Sequence, residues 1–599
     1  MFRSAKFKLT QLRHRPYVIL SLLFLAVFTF LVIVPLLEII KTSLVYQQND
    51  VRMVRDATVG QLTSYHYQRV FTGHLAQALF FKPFVNSLLV GFGVTLLAMT
   101  LGTLLAWVIV RTDIPYKRFF SAVMVVPYMM PSWVIALAWL TIFKNDRIAG
   151  SPGMLTSVFG VTPPDWLSYG IVPIIICLGL HYYSYSFLLV SGALWTVDSE
   201  LEEAGAIAGL GKWKALRKIT FPLVLPALGS AFVLTFTRSM GTFGTPALLG
   251  LPVRFFTVPT QIYASVNARN MGDGFVLALV LVVLAGVAIT INSKIIGSRK
   301  SFVTMKGKGF TSKPNRLGAW RYPITSLIFI FLLSAVVLPV VILAWSTFMR
   351  LPGDYSFSNM TSHFWIGESN YLISSGEQGI FKNPGIWSGV WNSVRLGVIA
   401  AVSNGILGLL IGYTVVRNRG GKLAKALEAI SFAPYVFPSI AMGAIYLGMF
   451  AKPIGPIPAL YGTFALIVLI VIVKNMPFSS RAGISAILQI DQSLEEAARM
   501  QGASWLKRFR KIIFPLATSG FMSGMLLTFI TAMRELSLLI LLVTPSTRVL
   551  TTIIFAYQDQ DQSQHANGVT LILLFIIVSA NILISRLYGT KSVFGLKNT

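Results

Sequence analysis

Five ionisable side chains sit inside long apolar runs of this chain, and their chemistry sets the first question: His181, Arg238, Lys474, Arg534 and Glu535. A charge at hydrocarbon depth is costly, so groups placed there ordinarily line a cavity or solute path and pair with one another or with carbonyls. Arg238, Lys474 and Arg534 outnumber Glu535. That balance suits a negatively charged solute, whether a phosphate ester or a metal ion still carrying anionic ligands, because a bare trivalent cation would want several carboxylates or phenolates. The plain alternative is packing: Lys474 snorkels toward an interface, Arg534 and Glu535 bond to polar neighbours, and Tyr182, Tyr183 and Tyr185 fill space beside His181. No catalytic constellation stands out. The histidines (14, 66, 74, 181, 363 and 565) lack ligand spacing, so no metal site is expected, and the single cysteine, Cys177, excludes internal disulfides and thiolate clusters. No G-x-x-x-x-G-K-[ST] loop occurs, so no bound nucleotide or other cofactor is expected on this chain.

The runs that carry these residues read as membrane spans. With 55% hydrophobic and 12% charged residues and a mean hydropathy of +0.70, the chain has too little charge to cover a soluble protein of its length. About 20 apolar residues cross the ~30 Å hydrocarbon layer as a helix, and twelve such windows occur. They are 17–39, 84–110, 119–143, 170–194, 222–249 and 274–296, then 323–348, 390–416, 426–450, 461–484, 519–543 and 568–588. The runs are continuous rather than alternating, which excludes a β-barrel. The expected fold is therefore an all-α integral membrane protein in the lipid bilayer, with about 12 transmembrane helices.

A net charge of +29 would suggest nucleic acid in a soluble protein. Here the cations concentrate in alternate loops, the positive-inside pattern, and no nucleic-acid partner is expected. They include Arg3, Lys6, Lys8, Arg13 and Arg15 in the tail; Arg111, Lys117 and Arg118 after the second span; and Lys212, Lys214, Arg217 and Lys218 after the fourth. Residues 294–321 hold eight more and no acid. Both termini are thus expected in the cytoplasm, and the first span, lacking a small-residue cleavage site, reads as a retained anchor. The expected units are a first membrane domain, 1–296, a basic cytoplasmic linker, 297–322, and a second membrane domain, 323–599.

The second unit repeats the first. DSELEEAGAIAGLGKWKALRKITFPL, 198–223, returns as DQSLEEAARMQGASWLKRFRKIIFPL, 491–516, with 13 identical positions and no gap, far beyond chance for two loops. Asn86-Ser87, Arg111 and Pro127-Tyr128-x-x-Pro131 return as Asn392-Ser393, Arg417 and Pro434-Tyr435-x-x-Pro438. An even number of spans per half makes this a parallel repeat of two six-helix units, with the solute path expected between them. His181 and Lys474 share the 293-residue spacing of the repeated element and so occupy equivalent spans. Each repeated element opens with acids, breaks at Gly209 or Gly502, and runs on as a basic stretch to Phe221-Pro222 or Phe514-Pro515. Acids suit a helix N-terminus and cations its C-terminus, while small residues allow close approach. One such loop would read as an amphipathic helix lying on lipid; two in register point to a partner.

The spacing Glu-Ala-Ala, three residues, Gly, nine residues, Ile, one residue, an apolar residue and Pro resembles the signature of type I ABC importer permeases. Glu203, Ala204, Gly209, Ile219 and Pro222 match it, with Gly205 in place of the third motif residue; Glu496, Ala497, Ala498, Gly502, Ile512 and Pro515 match it fully. Both copies carry Phe where the family usually has Leu before the Pro. The resemblance implies a type I permease fold with both transmembrane domains fused in one chain, in a bacterial inner membrane. It implies that each element is a coupling helix docked on an ABC ATPase subunit, of which two copies are expected. It also implies an external solute-binding protein and transport by alternating access, so this chain would be no enzyme and its partner would use the ATP.

Within that family, Gly241-Thr242-Phe243-Gly244-Thr245-Pro246-Ala247-Leu248-Leu249-Gly250, Arg534-Glu535-Leu536-Ser537 and Thr544-Pro545-x-Thr547-x-Val549-Leu550 resemble segments of ferric-iron permeases. Iron is accordingly the first expected cargo; sugar phosphates, phosphonates, thiamine and polyamines are alternatives carried by related permeases. The outer loops, 41–83 and 349–389, contain Trp365 and Trp387 and could dock the binding protein. A twelve-span secondary transporter is the rival of another class, but Glu535 is its only clear coupling acid. That rival, like a passive channel, leaves the paired elements unexplained.

Overall fold

Uninterrupted apolar stretches fold as uninterrupted helices, and among the described residues nine are long and apolar enough to cross a membrane. Three bent helix pairs bring the number to twelve, matching the windows read from sequence. The computed structural model describes residues 16–195, 197, 199–297, 314–435 and 437–588; the tail cations and most of the basic linker lie outside them. Only isolated bridges, and no strands, occur among these residues.

Two expected spans are broken in each half. The window 119–143 turns by 88° between Lys117–Met129 and Ser132–Phe143, and its counterpart turns by 104° between Lys422–Tyr435 and Ser439–Phe450. Each later segment starts just after the final Pro of the repeated Pro-Tyr-x-x-Pro, Pro131 or Pro438. Proline disfavours the helical conformation in the residue before it, and Met130 is extended at this break. The fifth spans also stop short: helix Phe221–Met240 gives way to a short helix, Gly244–Gly250, and Thr518–Met533 gives way to turns over 534–543. Irregular backbone at that depth is tolerated where it is buried in protein or lines a cavity.

Within each half the second span packs on the fourth and fifth: Lys82–Arg111 on Ile171–Trp195 and Phe221–Met240, Pro384–Arg417 on Phe464–Leu488 and Thr518–Met533. Lipid tails give helices no hydrophobic reason to associate, so close backbone approach does the work. A Cβ on Gly483 would lie 2.0 Å from Gly408 O, and one on Gly102 2.8 Å from Tyr183 O. The repeated Asn-Ser pairs have one structural duty. Asn86 donates to Phe256 O while Ser87 accepts from Val258 N, both at 2.8 Å; Asn392 and Ser393 do the same for Arg548 O and Leu550 N at 2.8 Å.

The halves are interlocked by their first spans. Pro16–Phe28 and Val34–Ser43 pack on Lys422–Phe432 and Ser439–Phe450 of the second half, and Leu338–Ser346 packs on Ser132–Phe143 of the first. Tyr446 Oη donates to Leu31 O at 2.6 Å across that seam. Outside the spans, the first-half loop is clipped to the start of Met271–Gly297 by a buried charge cluster. His66 lies 3.2 Å from Asp50 and 3.5 Å from Asp273, and Arg69 lies 3.3 Å from Asp273. Burial alone would lower the His66 pKa, but hydrogen bonds to the Asp273 and Asp50 carboxylates outweigh it and raise it to about 9.

Candidate functional site

All five intramembrane residues read from sequence, His181, Arg238, Lys474, Arg534 and Glu535, line one cavity of about 200 Å³ walled by both halves. The broken third and fifth spans build it together with the fourth spans, which bring His181 and Lys474. Arg534, just past the end of Thr518–Met533, donates to Tyr128 O and holds its guanidinium 4.6 Å from the Tyr128 ring centroid. Arg238, in the last turn of Phe221–Met240, donates to Tyr435 Oη at 3.3 Å and sits 5.3 Å from the ring centroids of Tyr185 and Tyr435. Each arginine therefore reaches the tyrosine of the other half's Pro-Tyr-x-x-Pro. The two are not register equivalents. At the repeat spacing Arg238 matches Thr531 and Arg534 matches Gly241, so the arginines stand about one helical turn apart in the aligned halves.

Lys474 Nζ donates to Phe437 O, and Tyr128 O and Phe437 O both lie at the proline breaks, where the helix supplies no following turn to bond them. Glu535 accepts from Leu538 N at 3.0 Å and from Ser439 Oγ at 3.5 Å. Beside them Tyr182 Oη and Thr242 Oγ1 are 2.8 Å apart, and Thr531 donates to Asn475 Oδ1 at 2.6 Å. Lys474 and Arg534 thus bond to carbonyls and Arg238 to a phenol, as a packing role would have it, and all three also face shared space. Among the described residues no group of three or more His, Cys, Asp or Glu could hold a metal ion.

The repeated elements form a second site at the ends of the second spans. Helix Ser199–Ile207 turns at Gly209, φ +82°, and helix Gln492–Met500 turns at Gly502, φ +76°, a region glycine enters without penalty. The first Glu of each pair faces inward. Glu495 accepts from Arg417 Nε at 2.5 Å and from Tyr413 Oη at 3.2 Å; Glu202 lies 3.5 Å from Arg111 and accepts from Thr220 Oγ1 at 2.5 Å. The motif residues Glu203, Ala204, Glu496 and Ala497 are exposed, as are Gly209 and Gly502. Beside them stand matched apolar side chains, Ile207 and Met500, 89% and 86% exposed, with Trp213 and Leu506 at another matched position. Ala498, Ile219 and Ile512 are half-buried, and Pro222 and Pro515 sit at the first turns of the helices that follow. Gly205 replaces the motif's Ala where a Cβ would come within 2.7 Å of Ile219 Cδ1. Asp491 caps the second element, its carboxyl held below the usual range by the Ser493 N–H.

The family of binding-protein-dependent transport system inner membrane components matches residues 98–297 and 404–590, once per half. The chain belongs to this family. It is a family of multi-pass membrane transport components of ABC importers. Over 487 residues, 79% of this chain and 72% of the relative, it is 28% identical to a Haemophilus influenzae protein provisionally named as a ferric transport system permease. A ferric transport system permease protein of Actinobacillus pleuropneumoniae is 26% identical over 530 residues, 87% of this chain and 73% of its own. A crystal structure of a bacterial ABC transporter involved in alginate import matches 45% of this chain and 95% of its own, at 17% identity and a TM-score of 0.35.

Sequence reasoning assembled the cavity's charges but missed their holders. Tyr128 and Tyr435 were visible only as parts of a repeat, and Trp133, which also lines the cavity, gave no signal. Glu202 and Glu495 were overshadowed by the motif residues beside them, although the repeat of Arg111 and Arg417 was the clue to their partners.

Proposed function

We propose that this permease carries both transmembrane domains of its importer in one chain, 1–296 and 323–599, and moves ferric iron inward by alternating access. The observation that carries the cargo is the match to ferric transport permeases over 79% and 87% of the chain, too long to fall within one half. In this reading two ATPase subunits seat against the exposed faces Glu203-Ala204 and Glu496-Ala497, with Gly209 and Gly502 turning each helix across their surface. Closure of the ATPases draws the elements together and re-aims the cavity that His181, Arg238, Lys474, Arg534 and Glu535 line. Both termini and both elements face the cytoplasm. Cargo arrives from an external binding protein, and hydrolysis belongs to the ATPases.

The test is uptake of radioactive iron into proteoliposomes holding this chain, its ATPase and its binding protein. Uptake should need ATP. Iron entry that persists without ATP under an imposed proton gradient would favour the secondary transporter, and uptake of sugar phosphate in place of iron would move the cargo to that class.

A further inference from the structure

We propose that the central cavity holds its solute by anionic oxygens, as an oxyanion or as a metal ion ligated by oxyanions, with Arg238, Arg534 and the indole N–H of Trp133 as the holding groups. This deepens the importer reading and rests on it only for the word cargo. Three cations and one carboxylate line the cavity, and the carboxylate of Glu535 already accepts from Leu538 N and Ser439 Oγ. The buried side-chain atoms of lining residues that lack a protein partner are nitrogens: Trp133 Nε1, Arg238 Nε and His181 Nδ1. Trp133 is 3% exposed and His181 5%. The indole and guanidinium nitrogens can only donate, and the imidazole takes either role. Buried donors are rarely left without an acceptor, so the complement of this wall is an acceptor. Water would serve a neutral wall. A wall with surplus guanidinium calls for oxygens that carry negative charge, to which arginine's planar fork is matched.

A bare trivalent cation would meet three like charges and no uncommitted carboxylate, and the phenols on the wall already serve other groups: Tyr435 Oη accepts from Arg238, Tyr182 Oη bonds to Thr242, and Tyr128 lies under the Arg534 guanidinium. If the cargo is ferric iron, it therefore crosses with its anionic ligands attached.

Titration calorimetry on the full chain in lipid nanodiscs tests this, with sodium phosphate, sodium citrate and ferric citrate as probes at constant chloride. Ferric citrate and at least one iron-free anion should bind saturably. Binding should weaken about tenfold or more in Arg238→Gln and in Arg534→Gln, as expected for losing a charge-assisted bond. Trp133→Phe, which removes one N–H and keeps the ring, should weaken it severalfold, and it reports even if an arginine variant fails to fold. Arg238→Lys should not restore affinity, because it keeps the charge but loses the fork. Absence of saturable binding by all three probes would overturn the proposal. So would ferric citrate affinity that is unchanged in both Gln variants and in Trp133→Phe but lost in Glu535→Gln, the signature of cation-led recognition. Co-purification with the ATPase is read separately: an anion that binds without an ATPase partner sinks the importer reading alone, and an ATPase that binds without any anion sinks this one.

Discussion

In the second half, Glu495 is held on both oxygens, by Arg417 at 2.5 Å and Tyr413 at 3.2 Å, with the pair's side chains each 9% exposed. In the first half, Glu202 is 26% exposed, stands 3.5 Å from Arg111, and leans on Thr220, a residue of the same connection. The swap is visible position by position: Trp107 stands where Tyr413 does and has no hydroxyl to give, while Ile513 stands where Thr220 does. Elements that repeat one another at 13 identical positions are thus anchored differently. The second-half element is tied to its second span, and the first-half element partly to its own returning helix, which makes the first-half element the more compliant of the two.

The largest effect should come from cutting the tight anchor. Arg417→Ala strands a buried carboxylate, a loss of about 3–5 kcal/mol; Arg111→Ala leaves a partly wetted carboxylate but empties a buried site and drops the bond to Val197 O at 3.2 Å, and should cost less, about 2–3 kcal/mol. Thermal unfolding of both variants measures the contrast, and equal losses would abolish it. Next come the turns. Valine at Gly209 or Gly502 must adopt a positive φ at about 1–3 kcal/mol each, and, with Glu203→Lys and Glu496→Lys, should leave the protein in the membrane while ATP hydrolysis no longer drives uptake. Unimpaired transport in these four variants would count against a coupling role. A smaller loss, about 1 kcal/mol, is expected for Tyr413→Phe, and the pair Tyr413→Trp with Ile513→Thr should give the second element the first one's anchoring, read as faster amide exchange over Gln492–Met500.

The outer ends differ as well. The first half clips its loop with ionised His66 between Asp50 and Asp273, whereas in the second the last span meets the loop through His565 on Gln378 O at 3.0 Å, Gln564 on Met349 O at 3.3 Å and Asn567 on Ser346 Oγ at 2.7 Å, with Glu377 accepting from Asn383 and Tyr557. A histidine whose pKa is raised in the folded state contributes stability that is complete below its unfolded value, ~6.5, and lost as pH rises through the folded value. With that value at about 9, protease nicking of the first outer loop should increase between these limits and level off above them. His66→Gln should flatten the profile, and the second loop, which has no histidine set between two carboxylates, should not share this rise.

The spans were legible because a 20-residue apolar run has one reading, and the Asn-Ser pairs because they recur at a fixed register. The residues that meet in the cavity could be collected from charge at depth, but not their bonds. Residues 534–543 read as helix from composition, yet the chain turns there because Glu535 binds Leu538 N and Thr551 Oγ1 donates to Glu535 O at 2.8 Å. Nor could the phase of Ser199–Ile207 be read closely enough to tell which of two adjacent glutamates faces in. The crossing of the arginines was hidden for a similar reason, since the alignment of the halves sets them one turn apart.

The proline breaks have one more consequence. By ending two helices at membrane depth they leave backbone oxygens beside Arg534 and Lys474, so these cations keep a dipole to rest on whether or not a solute is bound. An empty cavity therefore leaves neither of these two side chains naked, and the unmet demand falls on Arg238, whose Nε has no protein partner.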